Sequence, residues 1–341
     1  MKQITITDIA REAGVSKATV SRVLSNPQLV SEKTTKKILS IIDKYSYTPN
    51  VLAQGLAGLP TKNIGVIVDE FPNTFYIELA EGIDSVISAN NYFFQVMSSH
   101  WLPEREAQGI RSMLMNRVDG ILIAPISPES LAVDLLKKSG LPFVLMNCNS
   151  PDPDISYVCC DNYKGGSLMA EHINSLGREQ VIIISVADHQ SVQDRLAGFE
   201  DHLHAETNRV TRYFNAKTYQ DGYKLAPDLV EHDSIRTKKT TLFVANDYVA
   251  MGIVVRLMEM GIPIPAQVAV AGFDDIRISA FCKVPLTTVS QSVFDMGRIA
   301  AASLMHLIKK DGQAPFKHTI EPRLVVRDST CPPVPKKEGA L

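Results

Sequence analysis

Residues 5–27 read TITDIAREAGVSKATVSRVLSNP, and the first sixty residues are best understood from this stretch. Thr5 is placed to cap a helix, with Asp8 three residues on to complete a capping box. Ile6, Ile9, Ala10 and Ala13 recur at helical spacing. Gly14 supplies the left-handed residue that ends such a helix. Ser16 then caps a second helix over roughly 17–25. Two short helices joined by a three-residue turn predict a helix-turn-helix.

At 100° per residue the second helix divides into two arcs. Val20, Val23 and Leu24 share the apolar one. Lys17, Ala18, Ser21, Arg22 and Ser25 share the other, which carries no bulky apolar side chain. Short side chains allow close approach to a major groove, and Arg22 can fork onto guanine N7 and O6. Ser16, Thr19 and Ser21 suit phosphate oxygens or backbone caps. A polar arc is also what the solvated face of a small helical bundle looks like, so the arc alone leaves both readings open.

A third helix is predicted over 31–45, capped by Ser31 and buried through Ile38, Leu39, Ile41 and Ile42. Between Pro49 and Pro60 runs NVLAQGLAGL, long enough for about two helical turns and too short to be stable alone in water. Charge follows the same division. Residues 1–60 hold eight Lys/Arg against four Asp/Glu, a balance of +4, so the rest of the chain carries −6 of the total of −2. A basic head on an acidic body points to an anionic partner at one end.

Three head segments, TITDIAREAGVSKATVSRVLSNP, VSEKTTKKI and the run from Tyr47 through PNVLAQGLAG, resemble without a gap the DNA-binding head and hinge of the lactose-repressor (LacI/GalR) family. The resemblance implies double-stranded operator DNA as partner, pseudo-palindromic because two copies bind it. It also implies that Lys17 and Ala18 are the base-reading pair, and that the short segment is a hinge helix entering the minor groove. Asn50, Ala53, Leu56 and Ala57 fall at the minor-groove positions, with Leu56 as the wedge that kinks the duplex. Gly55 stands where relatives usually carry a polar or basic residue.

From Lys62 onward, short apolar runs alternate with amphipathic stretches: IGVIVDE (64–70), YFFQVM (92–97), GILIAP (120–125), PFVLMN (142–147), SYVCCD (156–161), QVIIISV (180–186), TLFVAND (241–247) and VAVAGFDD (268–275). Most are continuously apolar, as in strands buried on both faces. The fold class is α/β with parallel sheets, in two similar lobes behind an all-α headpiece. Ligands of such sheets bind beyond the carboxyl ends of the strands. The polar residues there are Asp69, Asn73, Asn147, Asp161, Asn162, Asn246, Asp247, Asp274 and Asp275, many of which are also ordinary turn or cap residues.

The segments DRLAGF (194–199), FVANDYVAMG (243–252), VAVAGFDD (268–275) and PLTTVSQ (285–291) resemble the periplasmic-binding-protein-like core of the same family. The resemblance implies that Arg195 and Asp274 hydrogen-bond effector hydroxyls and that Asn147 and Asn246 add polar contacts. It puts Gln291 at the crossover between lobes. Asn73 lies at the first strand end, and Phe75 with Tyr76 can form an apolar wall. Expected boundaries are a helix-turn-helix domain over 1–48, a hinge and linker over 49–61, a sensing core over 62–330 and a tail over 331–341. Within the core, lobe 1 takes about 62–160 and 291–320, and lobe 2 about 161–290 and 321–330.

The expectation is a cytoplasmic regulator. MKQITITDIAREAG has no apolar signal region, and no run of eighteen apolar residues could span a membrane. Cys148, Cys159, Cys160, Cys282 and Cys331 fit neither a disulfide framework nor a metal pattern, so they read as reduced thiols, with no metal and no cofactor. Residues 331–341 lack the leucine heptad of tetrameric relatives, which makes a homodimer the expectation. Two alternatives are a sugar kinase or dehydrogenase on a doubly wound fold and a regulator answering to a nucleoside or purine. Against an enzyme, no G-x-G-x-x-G and no G-x-x-x-x-G-K-[ST] occurs, no catalytic residues are assigned, and His172, His189 and His232 lack a nucleophile motif.

Overall fold

The structure is a computed structural model that describes residues 4–25, 27–45, 47, 60–71, 73–186, 189–204, 210–232, 235–312 and 314–331. Two compact units divide the chain, Met1–Thr61 and Lys62–Leu341. Asn50, Ala53, Gly55, Leu56 and Ala57 of the expected hinge, and 332–341 of the expected tail, lie outside the described residues.

The first unit holds α1 (Ile6–Ala13), α2 (Lys17–Ser25) and α3 (Glu32–Lys44). The Thr5–Asp8 capping box is formed in both directions, and Gly14 takes φ 70°. Such a cap contributes about 1 kcal/mol to a helix too short to stand alone. Ser16 Oγ accepts from Thr19 N at 3.1 Å, and Ser31 caps α3 through Thr34 N. Ile9, Ala10, Ala13, Val20, Val23, Ile38 and Ile41 close one small core. Lys44 Nζ meets Glu12 Oε1 at 2.8 Å and ties α3 to α1. Leu39 departs from expectation: it is 44% exposed, because it falls a turn-third away from the Ile38–Ile41 line that the core admits.

The second unit opens with β1 (Asn63–Val68), α4 (Thr74–Ile87), β2 (Phe93–Ser98), α5 (Pro103–Met115), β3 (Gly120–Ile123), α6 (Leu131–Ser139), β4 (Phe143–Met146) and β5 (Tyr157–Cys160). It continues with α7 (Asn162–Ser175), β6 (Gln180–Ser185), α8 (Gln190–His202), β7 (Val210–Phe214), α9 (Tyr219–His232), β8 (Thr240–Val244), α10 (Asp247–Glu259), β9 (Val268–Ala271) and β10 (Thr288–Ser290). It closes with α11 (Val293–Lys309), β11 (Lys317–Ile320) and β12 (Arg323–Val325). One sheet runs β11-β5-β4-β3-β1-β2, another β7-β6-β8-β9, and β10 pairs with β12. Every pairing in the two larger sheets is parallel, and β10–β12 is antiparallel.

Each larger sheet is covered by helices on both faces, as parallel strands require. Helices α4 and α11 bury one face of the first sheet, and α5 and α6 the other. The second sheet packs α9 and α10 on one side and α7 and α8 on the other. The chain crosses between the sheets after β5, after β10 and after β11. Strand β2 is an exception to burial on both faces, since it is an edge strand and Phe93 is 78% exposed. Strands β7, β10 and β11 form without a long apolar run in the sequence. Cys148, Cys159 and Cys160 are buried free thiols; burial pushes Cys148 and Cys160 up to about 12 and Cys159 to about 11.

Candidate functional site

In the first unit, Val20 and Val23 of α2 are buried while Lys17, Ala18 and Arg22 are exposed and Ser21 is half-buried. The polar arc therefore faces outward along one side of the helix. The hydroxyls of Ser16 and Thr19 lie 2.9 Å apart, and those of Ser31 and Thr34 2.8 Å. Thr5, Ser16 and Ser31 each serve as a helix cap, so their side chains shape the surface as well as bordering it.

In the second unit, a cavity of about 40 Å³ opens where the ends of strands from both sheets face each other. The first sheet contributes Asp69, just beyond β1, and Asn147, just beyond β4; α4 adds Phe75 and Tyr76 behind the Asn73 cap. The second sheet contributes His189 beyond β6, Arg195 on α8, Asn246 at the start of α10, and Asp274 beyond β9. Eight residues singled out in the sequence therefore meet at one place: Asp69, Asn73, Phe75, Tyr76, Asn147, Arg195, Asn246 and Asp274. Gln291 stands behind the lining and donates from Nε2 to Asp274 Oδ1 at 2.7 Å.

Arg195 is 2% exposed. Its Nη1 donates to the Ala245 carbonyl and its Nη2 to Asn162 Oδ1 at 2.9 Å. Nη1 also lies 3.8 Å from Asp274 Oδ1. The helix that carries Arg195 sits tightly on α7: a Cβ at Gly166 would overlap the Arg195 carbonyl, and one at Gly198 the Tyr163 carbonyl. Burial pushes the Asp274 carboxyl up to about 7, against the pull of Arg195 and Gln291. Burial, with Asp274 nearby, holds Asp247 well above the usual carboxylate range. Asn147 at φ 54° and Asp274 at φ 124° take left-handed backbone angles, a strain that concentrates at binding sites.

Opposite, Asp69 is fully buried and accepts the Tyr76 hydroxyl. Burial first, and Asp69 second, holds that phenol well above its ordinary value. His189 Nε2 lies 3.3 Å from Asp69 Oδ2, and its Nδ1 lies 2.8 Å from Ser191 Oγ. Trp101 packs edge-on to His189 with centroids 5.5 Å apart. Asp69 Oδ1, Asn147 Oδ1, Arg195 Nε and Gln291 Oε1 are buried with no hydrogen-bond partner among the described residues. Each such atom costs about 1–3 kcal/mol unless something polar meets it.

The other strand-end candidates are structural. Asp161 caps α7, Asp247 accepts from Thr288 Oγ1 at 2.7 Å, and Asp275 pairs with Arg327 at 2.6 Å. Asn162 reaches the site only through Arg195. Trp101 and Ser191 were not anticipated, and His189 was seen only as a histidine without a motif. All three follow β2 or β6, so the strand-end rule that selected Asp69 reaches them too. Among the described residues, no group of three or more His, Cys, Asp or Glu could hold a metal, and no helix is long and apolar enough to cross a membrane.

A helix-turn-helix unit and a core of two parallel sheets that meet at a polar cleft together define a ligand-responsive DNA-binding regulator. Residues 5–50 match the model of the lacI family of bacterial regulatory proteins, and residues 170–330 match a periplasmic binding protein-like domain. The chain is 30% identical over 313 residues to catabolite control protein A of Priestia megaterium, covering 90% of this chain and 93% of the relative. A lacI-family transcriptional regulator from Silicibacter pomeroyi superposes with a TM-score of 0.82 at 25% identity, covering 96% of this chain and 99% of that one. Another, from Enterococcus faecium with bound ribose, gives a TM-score of 0.69 at 25% identity over 80% of this chain and all of that one. The chain belongs to the lacI family of bacterial regulatory proteins; it is a transcriptional regulator and not an enzyme.

Proposed function

We propose that this regulator is a cytoplasmic repressor of carbohydrate-utilisation genes whose hold on a pseudo-palindromic operator is changed by a sugar or sugar derivative bound between the lobes. The observation that carries the effector reading is the convergence of Arg195, Asp274, Asn147 and Asp69 on one cavity. A planar guanidinium beside a carboxylate suits the alternating donors and acceptors of vicinal hydroxyls. In this reading Asn73 and Asn246 add polar contacts, Phe75 lies against the apolar face of the ring, and Gln291 fixes Asp274. The Enterococcus faecium relative, which carries ribose, supports the same class of effector.

At about 40 Å³ the cavity is far below the roughly 300 Å³ at which small-molecule sites begin, so the lobes part to admit a sugar and close on it. Effector and operator are then linked sites, and a coupling of about 1–3 kcal/mol changes operator affinity roughly 5–150-fold. The DNA reading rests on the outward arc of α2. Lys17, Ala18 and Arg22 face base edges, and Thr5, Ser16, Thr19, Ser21 and Ser31 border phosphates. Asn50, Ala53, Leu56 and Ala57 occupy the minor groove. A homodimer is supported by an apolar groove on the α4 and β2 side of the first sheet. It is lined by Phe71, Ile77 and Val96, beside an open strand edge.

Thermal-shift measurement of the purified chain against free sugars tests the effector reading. A binder at one hundred times its Kd stabilises by about 2.7 kcal/mol. Stabilisation by nucleosides or purine bases alone, with every sugar silent, would overturn it.

A further inference from the structure

We infer that the cleft accepts an uncharged polyhydroxy effector and rejects its phosphate ester. This rests on the proposed sugar-sensing function and narrows it. Two carboxylates from opposite lobes, Asp69 and Asp274, border the cavity, and both are buried. Among the described residues, the guanidinium of Arg195 is the one Lys or Arg group in the lining. Its capacity is already committed: Nη1 to Ala245 and Nη2 to Asn162, with Asp274 3.8 Å away and its flat face on Phe273. Asp274 thus sets its charge against Arg195 as the pH rises past about 7, and Asp69 is a second acid on the opposite wall. A phosphate dianion between Asp69 and Asp274 would be desolvated beside two acids, and Lys217, whose Nζ lies 5.5 Å from the centre of the Trp101 ring, is a cation at the border of the cavity rather than in its lining.

Hydrogen-bond polarity points the same way. The buried atoms that lack partners include the acceptors Asp69 Oδ1 and Asn147 Oδ1 and the donor Arg195 Nε. A hydroxyl gives a proton and receives one, so a polyol can serve all three. A phosphate oxygen only accepts. Where it takes the place of a hydroxyl facing Asp69 Oδ1 or Asn147 Oδ1, it leaves that acceptor unmet and places lone pairs against it, which works as active rejection of the wrong ligand. Apart from His189, whose Nε2 lies 3.3 Å from Asp69 Oδ2 and makes no hydrogen bond among the described residues, the remaining lining is neutral: Phe75, Trp101, Val186 and Val192 supply apolar wall, and the asparagines supply amides.

Calorimetric titration of the full chain with D-ribose and D-ribose 5-phosphate, and with D-glucose and D-glucose 6-phosphate, decides the matter. The expected result is that at least one free sugar binds about 100-fold or more tightly than its ester. Asp69→Asn, checked for native thermal unfolding, should narrow that gap at least about tenfold by removing one of the two acids. An ester that binds as tightly as its free sugar, or more so, overturns the inference and leaves sugar sensing in place. Silence of free sugars and esters alike overturns the sugar reading beneath it, and the inference with it. A gap unchanged in a folded Asp69→Asn chain removes Asp69 from the explanation and overturns the charge argument.

Discussion

The guanidinium of Arg195 lies over the ring of Phe273, its central carbon 3.5 Å from the ring centroid. Stacking, two hydrogen bonds and a carboxylate at 3.8 Å fix the group before any ligand arrives. Arg195→Ala should abolish the response to effector and leave operator binding intact. It also strands Asp274 in a buried place, for a loss of about 3 kcal/mol, the low end for a broken buried pair because Asp274 can take up a proton. Arg195→Lys keeps the charge but loses the fork and the stack, and should weaken effector at least about tenfold. Calorimetry with effector and anisotropy with operator read the two effects apart. A folded Arg195→Ala chain that has lost its operator would count against the sensor assignment.

Asp274 gives stability a particular pH dependence. Its carboxyl titrates at about 7 in the folded chain against an ordinary 3.8, so the folded state holds an extra proton between those values. Stability from this group is therefore greatest below about pH 4 and falls as pH rises towards 7, by on the order of 4 kcal/mol at most. Asp247 pulls in the same direction. Urea denaturation of the chain and of Asp274→Asn from pH 5 to 8 checks this. The variant should show the flatter profile, and an equal or steeper decline would be inconsistent with a raised Asp274.

Gly166 tests how the site is held. A methyl group there would overlap the Arg195 carbonyl, so Gly166→Ala must push α8 away from α7. Overpacking of this kind costs about 1–3 kcal/mol. Because α8 carries Arg195, effector binding should fall along with the melting temperature. Gly140→Ala, at a helix end with open space around it, is the control: it should cost stability through its φ of 68° and leave effector binding unchanged. Equal effects of the two on effector affinity would argue against positioning of Arg195 through the helix crossing.

Two substitutions in the head separate reading from gripping. Arg22→Ala should cost about 1–3 kcal/mol on the preferred operator and little on random DNA, since a base contact is lost. Leu56→Ala should likewise weaken specific binding far more than non-specific binding, because a wedge that bends one site has no equivalent on an unbent one. Competition titrations against operator and random duplexes measure both ratios. Equal losses on the two DNAs would contradict the base-reading and wedge roles.

What could be read in advance was what local chemistry encodes. The Thr5–Asp8 box, the Gly14 stop and the Val20–Val23 arc lie within a few residues of one another, so the head was legible nearly residue by residue. Leu39 departs from the helical pattern because a helix has room for one buried line and an apolar residue beside it can face water. Strand β11, KHTI, carries no apolar signal, since its edge position leaves three of its four residues exposed. In the cleft, Arg195 and Asp274 were reached by resemblance and Asn147 by its place at a strand end. Trp101 and His189 face each other across 88 positions of sequence, a pairing that only the meeting of two sheets creates.

In the proposed function one chain holds DNA and a sugar in the cleft alters that hold. Fluorescence anisotropy on a duplex selected from random DNA by the purified protein, repeated with and without a sugar found to bind, measures it directly. Binding to the selected duplex should be saturable, stronger than to random DNA, and shifted about 5–150-fold by the sugar. An affinity for the selected duplex that does not change when the cleft is saturated, or no preference for any duplex at low salt, would contradict it.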